Sequence, residues 1–426
     1  MIRHPSGTPP LTLVLALSTL ACASSPPSPS KPTPAPPPAR SSAPAAPPAP
    51  PPFDVDVEMK REASGLSDRV VRGPGDVWSV SVPASGEPQL STTEHVTLVA
   101  IPVAPNVEVR CQVHDETVDP AGTLFGVIKE SSARVEYKLI EPSALRLFGG
   151  APAAGITALY TTQLEGGEAV GGLKLAVLTG EHRSLLCLLD DLGYAQTFER
   201  VSAAFFESFT APGDPKSEAS YTEVTRARLD EVDVGFGVTR ILPGDAPGER
   251  EYHHLSTHLV PEAASAISFD DAFTILRFDA RGRLQRGNWA EASSGELVLQ
   301  IELNRAANGT YALKGQVEGR PVQGPLKAPQ GIATALDVAA LLKKKLLQRK
   351  PFSENVAEYH PSIDPLATVT VTYSRTADAP PRQVLMQLGE RRFTAEIDED
   401  GVAKDGWFDL GEQRLTITRQ HLSGRW

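Results

Sequence analysis

Gly331-Ile-Ala-Thr-Ala-Leu-Asp-Val-Ala-Ala-Leu-Leu-Lys-Lys-Lys-Leu-Leu-Gln-Arg349 interrupts an otherwise strand-rich second half of the chain. Its Ile332, Leu336, Ala339, Leu342 and Leu346 recur at helical spacing, which predicts one apolar stripe, and Pro351 stops it. Strand-like runs precede it at Val232–Leu242, Arg250–Val260, Phe273–Phe278, Leu284–Trp289, Leu297–Leu303 and Thr310–Val317. Others follow at Ala367–Tyr373, Gln383–Leu388, Phe393–Ile397, Trp407–Leu410 and Arg414–Thr418. Asn308-Gly309 predicts a type I′ hairpin, and Asp279–Gly282 and Asp398–Gly401 read as similar turns. A meander with one amphipathic helix has a natural packing solution. The sheet curls and the helix packs into its concave side. Residues 221–426 are therefore expected to form a mainly-β curved antiparallel sheet, or half-barrel, with one helix.

This order of elements resembles the half-barrels of the periplasm, including LolA-type lipoprotein carriers. The resemblance implies a space between sheet and helix that could carry a lipid or other hydrophobic cargo, provided the helix stripe does not fill it.

Residues 53–209 read differently. Phe53, Val55, Val57 and Met59 alternate with Asp54, Asp56 and Glu58, the period of a half-buried strand. Further strands are expected at Val77–Val82, Val96–Val103, Val107–Val113, Val135–Ile140, Ile156–Leu164, Leu173–Leu178 and Ser184–Leu189. One helix is predicted near Thr123–Ser132. A second runs from Tyr194 to Phe209, with Tyr194, Phe198, Val201, Phe205 and Phe209 on one face. The expectation is an α+β domain, an antiparallel sheet with helices, and the order resembles the PsbP-like sandwich. Thr210–Ser220, with Pro212, Gly213 and Pro215, reads as a linker between the two domains.

The start of the chain carries an address. Arg3 and the apolar run Leu11–Leu20 have the form of an export signal, and about ten apolar residues are too few to span a bilayer. Thr19-Leu-Ala-Cys22 resembles the lipobox of bacterial lipoproteins, with Thr19 where Leu or Val is usual. The resemblance implies residues 1–22 as signal peptide, Cys22 acylated, and a lipid anchor to the membrane. Ala23, in place of an acid, then points to the outer membrane. Residues 23–52 are nearly all Pro, Ala and Ser and read as an extended, disordered tether.

The net charge is −11, and residues 1–53 hold Arg3, Lys31 and Arg40 but no acid. The remainder is thus distinctly acidic, which argues against nucleic acid as a partner. Cys111 and Cys187 both fall in apolar strands, and an oxidising compartment permits a bridge between them; two inert buried thiols are the alternative.

Candidate sites are few. In Glu251-Tyr-His-His-Leu-Ser-Thr-His258, His254 and His258 are the only candidate zinc ligands, but on a strand they stand about 13 Å apart. Solvated histidines on an open sheet face are the preferred reading. Asp54, Asp56 and Glu58 are more simply an acidic edge than a calcium site, and Asp398–Gly401 lacks the closing acid of a calcium loop. Asp190 and Asp191 suit capping of the Tyr194 helix. Lys343–Lys345, Arg349 and Lys350 give the later helix the basic end its dipole favours. The terminal Trp426 lacks the alternating apolar run of an outer-membrane barrel end. No catalytic residue, cofactor or metal is assigned. The expected class is a non-catalytic binding or scaffold lipoprotein of the envelope, with a protein partner or hydrophobic ligand; an enzyme of unidentified reaction is the alternative.

Overall fold

The structure, a computed structural model, describes residues 54–164 and 167–426. The signal, Cys22 and the tether lie outside the described residues. Three antiparallel sheets and four α-helices make up the rest, so the class is mainly antiparallel β with few helices.

The first described element corrects an expectation. Val55–Met59 is a short helix, α1, where alternation predicted a strand. Val57 and Met59 are exposed, so the alternating set has no sheet face to bury. A strand without a partner would leave its backbone unbonded, and a helical turn satisfies it locally.

A hairpin follows, β1 (Ser67–Arg72) and β2 (Ser79–Ala84). The eight-stranded sheet comprises β3 (Gln89–Thr92), β4 (Val96–Ala104), β5 (Val107–His114), β6 (Glu136–Pro142), β7 (Arg146–Phe148), β8 (Ala151–Leu164), β9 (Gly167–Thr179) and β10 (Ser184–Asp190). Its spatial order is β3-β4-β5-β10-β9-β8-β6, with β7 on β8. Two helices belong to it, α2 (Pro120–Ser132) and α3 (Ala195–Ser208). Phe198, Val201 and Phe205 of α3 pack on Val109, Cys111, Leu185 and Cys187 in one continuous core. Cys111 and Cys187 face each other across β5 and β10, and their sulfurs are bonded.

The fourteen-stranded sheet holds β11 (Tyr221–Leu229), β12 (Val232–Pro243), β13 (Arg250–Ala263), β14 (Ala266–Phe278), β15 (Leu284–Ser293), β16 (Glu296–Arg305), β17 (Tyr311–Val317) and β18 (Arg320–Pro325). After α4 (Ala335–Leu347) come β19 (Phe352–Glu358), β20 (Val369–Arg375), β21 (Gln383–Leu388), β22 (Arg391–Ile397), β23 (Ala403–Leu410) and β24 (Gln413–Gly424). The chain meanders from β11 to β18, crosses with α4 to the far edge, and meanders back until β24 pairs with β11. The segment 326–333 then ties the two edges. Lys327 N donates to Leu366 O (2.8 Å), Thr368 N to Lys327 O (3.1 Å) and Ala333 N to Ala357 O (2.8 Å).

A capping box starts α4, with Thr334 and Asp337 bonded reciprocally to each other's backbone. Leu336 joins a cluster around Leu299, Ile301 and Leu303, and Leu342 joins another around Val371, Val384 and Ile397. The β22–β23 turn presses so closely on α4 that a Cβ at Gly401 would lie 1.9 Å from Ala339 O. Gly401 also has φ +89°, so that turn requires glycine twice over. Lys343 pairs with Asp400 (2.9 Å) and Lys345 with Glu354, tying the basic end of α4 to the sheet. The Asn308-Gly309 hairpin exists with a longer loop than predicted. Its strands end at Arg305 and resume at Tyr311, and only Gly309 is left-handed, so the type I′ turn gives way to a longer one closed by Gly309 N to Ala306 O (2.9 Å) and Ala306 N to Thr310 O (2.7 Å).

A seam joins the two large sheets. Asp271 of β14 is buried; it accepts from Gly122 N (2.9 Å), Ala121 N (3.3 Å) and Thr257 Oγ1 (2.7 Å). An acid from one sheet thus caps a helix of the other. Asp233, paired with Arg226, accepts from Leu145 N (2.8 Å). Within residues 210–220, Asp214 is gripped by Arg183 (2.8 Å). Residues 56–426 form one compact unit.

Candidate functional site

Strand register brings the inward side chains of the curled sheet into transverse rows. Glu223 pairs with Thr239, Thr239 with His254, His254 with Thr274, and Thr274 with Trp289, so one row crosses five strands. A parallel row runs through Thr225, Gly237 and Ser256. A third brings His258 opposite Asp270. These rows, α4 and residues 358–362 line a cavity of about 630 Å³ that is partly open to solvent.

The histidines are therefore not where the sequence reading put them. His254 and His258 face the cavity, and only His253 points the other way, bonded to Glu251 (2.9 Å). His254 lines the cavity, yet protein surrounds it. Burial pushes its pKa down to about 4, with His258 nearby adding to the effect. Burial likewise lowers His258, partly opposed by Asp270. Both are neutral imidazoles at neutral pH. His254 Nδ1 lies 2.9 Å from Thr239 Oγ1. Among the described residues no three His, Cys, Asp or Glu side chains gather as a metal-ligand group. A hydroxyl beside an imidazole is present, but among the described residues no carboxylate hydrogen-bonds the far side of the His254 ring.

Three glutamates line the cavity, and none was singled out from the sequence. Glu223 pairs with Arg419, which also bonds Asp398 (2.8 Å). Burial pushes the Glu223 carboxyl up despite Arg419. Burial also acts against the Arg419 charge, but the two carboxylates around it prevail and raise its pKa. Glu291 is raised by burial, with Ser362 partly offsetting. Glu358 accepts from Tyr373 Oη (2.6 Å) and lies 3.2 Å from His360 Nε2. Burial raises the Tyr373 hydroxyl well above its usual range, so Tyr373 stays a donor.

Aromatic rings fill the ends. Trp289 stands edge-on to Tyr359 at 4.9 Å between centroids. Trp426 stands against Tyr221 at 4.9 Å and Tyr252 at 6.1 Å and lines the cavity. Burial pushes Tyr252 up to about 12.

Other predicted residues take different places. Asp190 accepts from Tyr160 Oη (2.5 Å), and Asp191 bonds Arg61 (3.0 Å) and Gly193 N (2.8 Å). Neither caps α3. Glu62 does so, accepting from Gln196 N (2.9 Å) and Thr197 N (2.7 Å). Burial opposes its charge, but these hydrogen bonds and that of the Thr197 hydroxyl hold its carboxyl below the usual range. Glu58 pairs with Arg61 (2.7 Å), and α1 removes the strand face it was to share with Asp54 and Asp56. Asp398 N and Val402 O close the turn before β23, and Asp398 holds Arg419.

No family model matches the chain, and no curated protein matches it in sequence. Solved structures give partial likenesses. A beta-barrel-like protein of the domain of unknown function DUF1849 from Brucella abortus aligns over 48% of this chain and 95% of its own, at 14% identity and TM-score 0.35. A protein from Bacteroides thetaiotaomicron VPI-5482 aligns over 38% and 52%, at 12% identity and TM-score 0.23. A DUF1089 family protein from Pseudomonas aeruginosa aligns over 45% and 89%, at 15% identity and TM-score 0.21. Likeness at this level assigns no function.

Proposed function

We propose that this chain is a cell-envelope lipoprotein whose body is a non-catalytic binding module, with the ligand held inside the curled sheet. The observation that carries this reading is the half-open cavity of about 630 Å³, a volume within the range of small-molecule sites. A purely structural scaffold has no need of such a space, because hollow cores forfeit packing. The mixture of hydroxyls, carboxylates and aromatic rings favours a small amphipathic molecule over a simple hydrocarbon cargo.

In this proposal Cys22 is the acylated N-terminus and residues 23–52 are the tether. Residues 53–209 form an α+β domain, 210–220 a linker, and 221–426 a half-barrel-like domain. The bacterial outer membrane is the proposed location, with the anchor supplying membrane contact. The sequence pattern around Cys22 supports this, and intact-mass analysis of membrane-extracted protein tests it. A mature chain starting elsewhere and fractionating as soluble would remove the anchor from the proposal.

Native mass spectrometry of protein purified from its own envelope tests the binding reading. A retained small molecule, lost on denaturation, is expected. A chain that retains only another protein would support the scaffold role in its place.

A further inference from the structure

The side chains that can bring charge to the cavity are acidic, and although burial raises Glu223 and Glu291, a cation beside them would hold them ionised. Among the described residues lining it, Glu223, Glu291 and Glu358 are acidic, and no lysine or arginine side chain takes part. Arg419 sits behind Glu223 and is shared with Asp398, so it has no charge left to offer a ligand. The lining imidazoles do not reverse this balance: His254 and His258 are driven toward the neutral form by burial. His360 is engaged with Glu358.

A ligand bearing a carboxylate or phosphate would have to bring its charge beside these glutamates with no counter-charge to receive it, which is unfavourable. A cation meets the opposite situation. Trp289 precedes Glu291 by two residues on β15, so both point inward, and Tyr359 completes a corner of two perpendicular rings. Glu358, held by Tyr373, lies next to Tyr359 in the chain and also lines the cavity. Aromatic faces and nearby carboxylates together stabilise an ammonium group that has left water. Apolar lining from Leu276, Leu342 and Phe393 is left for the rest of the molecule.

We infer that the cavity takes an organic cation, an amine or quaternary ammonium carried on an apolar body, with the charged group at Trp289, Glu291 and Glu358. This inference rests on the ligand-binding reading above and goes on to specify its charge.

The test uses the purified full chain and three probes sharing one n-octyl chain, with a trimethylammonium, a hydroxyl or a carboxylate head. Binding is followed by calorimetry and by native mass spectrometry. The cation is expected to bind at least about ten-fold more tightly than the carboxylate, and more tightly than the alcohol. Glu291→Gln and Glu358→Gln should each reduce cation affinity roughly five-fold or more while leaving the alcohol unchanged. If the alcohol and carboxylate bind as well as the cation, the cavity binds ligands but the charge inference falls. If the glutamine variants bind the cation as wild type does, the assigned corner is wrong and the inference falls with it. If none of the three probes binds, the inference and the ligand-binding reading fail together.

Discussion

On the eight-stranded sheet, Phe198, Val201 and Phe205 of α3 meet a continuous apolar face and leave one uninterrupted core. On the fourteen-stranded sheet, α4 reaches two separate clusters through Leu336 and Leu342, and between them lies open space. Geometry accounts for the difference. Strands spaced about 4.8 Å apart give fourteen of them a perimeter of roughly 67 Å and a width of roughly 21 Å if closed. A helix with side chains is about 10 Å across and cannot fill that width. Open space also lies beside α3, a cavity of about 450 Å³ against β8 and β9, so the contrast is one of degree: the α3 stripe joins one continuous cluster, whereas α4 bridges two with about 630 Å³ beside it.

The largest expected effect is on the charge network in the hollow wall. Arg419→Met leaves the buried Glu223 and the part-exposed Asp398 without their shared partner, and the cost, mostly from Glu223, should be about 3 kcal/mol in urea unfolding. A cost near zero would mean that water already reaches these carboxylates. The next test compares adding bulk on the two sides. Ala84, fully buried in the continuous core, should lose about 1–3 kcal/mol as Ala84→Leu. Thr274→Leu, which grows into the cavity, should change stability by less than about 1 kcal/mol. Equal losses would show that the space is not free to be filled.

Two smaller effects separate the seam from the cavity by pH. Burial raises Asp271 to about 6, above its ordinary value of 3.8. Its contribution is fully present below the unfolded value and is lost as pH rises through about 6, so Asp271→Asn should remove that loss. The variant should gain on wild type, in relative stability, between about pH 4 and about pH 7.5. His254 behaves in the opposite sense. Its folded pKa of about 4 lies below the ordinary 6.5, so stability is fully present above 6.5 and lost as pH falls toward 4. His254→Gln should flatten the acid side of the profile, as read by thermal melts across that window. An unchanged slope would place His254 in water.

The same contrast explains what could be read from the chain. Where the core is one continuous cluster, inward residues are apolar, and Val96–Ala104 or the Phe198 stripe state their own burial. The helix at α4 was legible too, because its stripe and Pro351 are local signals. The cavity hid the site. Glu223, Thr239, His254, Ser256 and Thr274 all point inward, and polar residues in a strand read as solvent-facing. β11 was missed for this reason, since Tyr221-Thr-Glu-Val-Thr-Arg-Ala-Arg-Leu229 alternates around a buried glutamate. Local acids also misled at α3, because its cap, Glu62, comes from more than a hundred residues upstream.

Where β24 lies has a consequence for how the chain is made. It pairs with β11 in the interior of the sheet order, and Arg419 reaches Glu223 across 196 residues of sequence. The eight-stranded sheet and α3 have all their residues once the ribosome has passed Phe209, but β11 waits for the final strand. Contacts of such sequence separation form slowly, and a waiting strand edge invites pairing with other chains. A chain stopped before Gln413 would lose the middle of its sheet rather than its margin. Ribosome-stalled chains of increasing length should gain protease resistance in two steps, with the second arriving only after β24 has emerged.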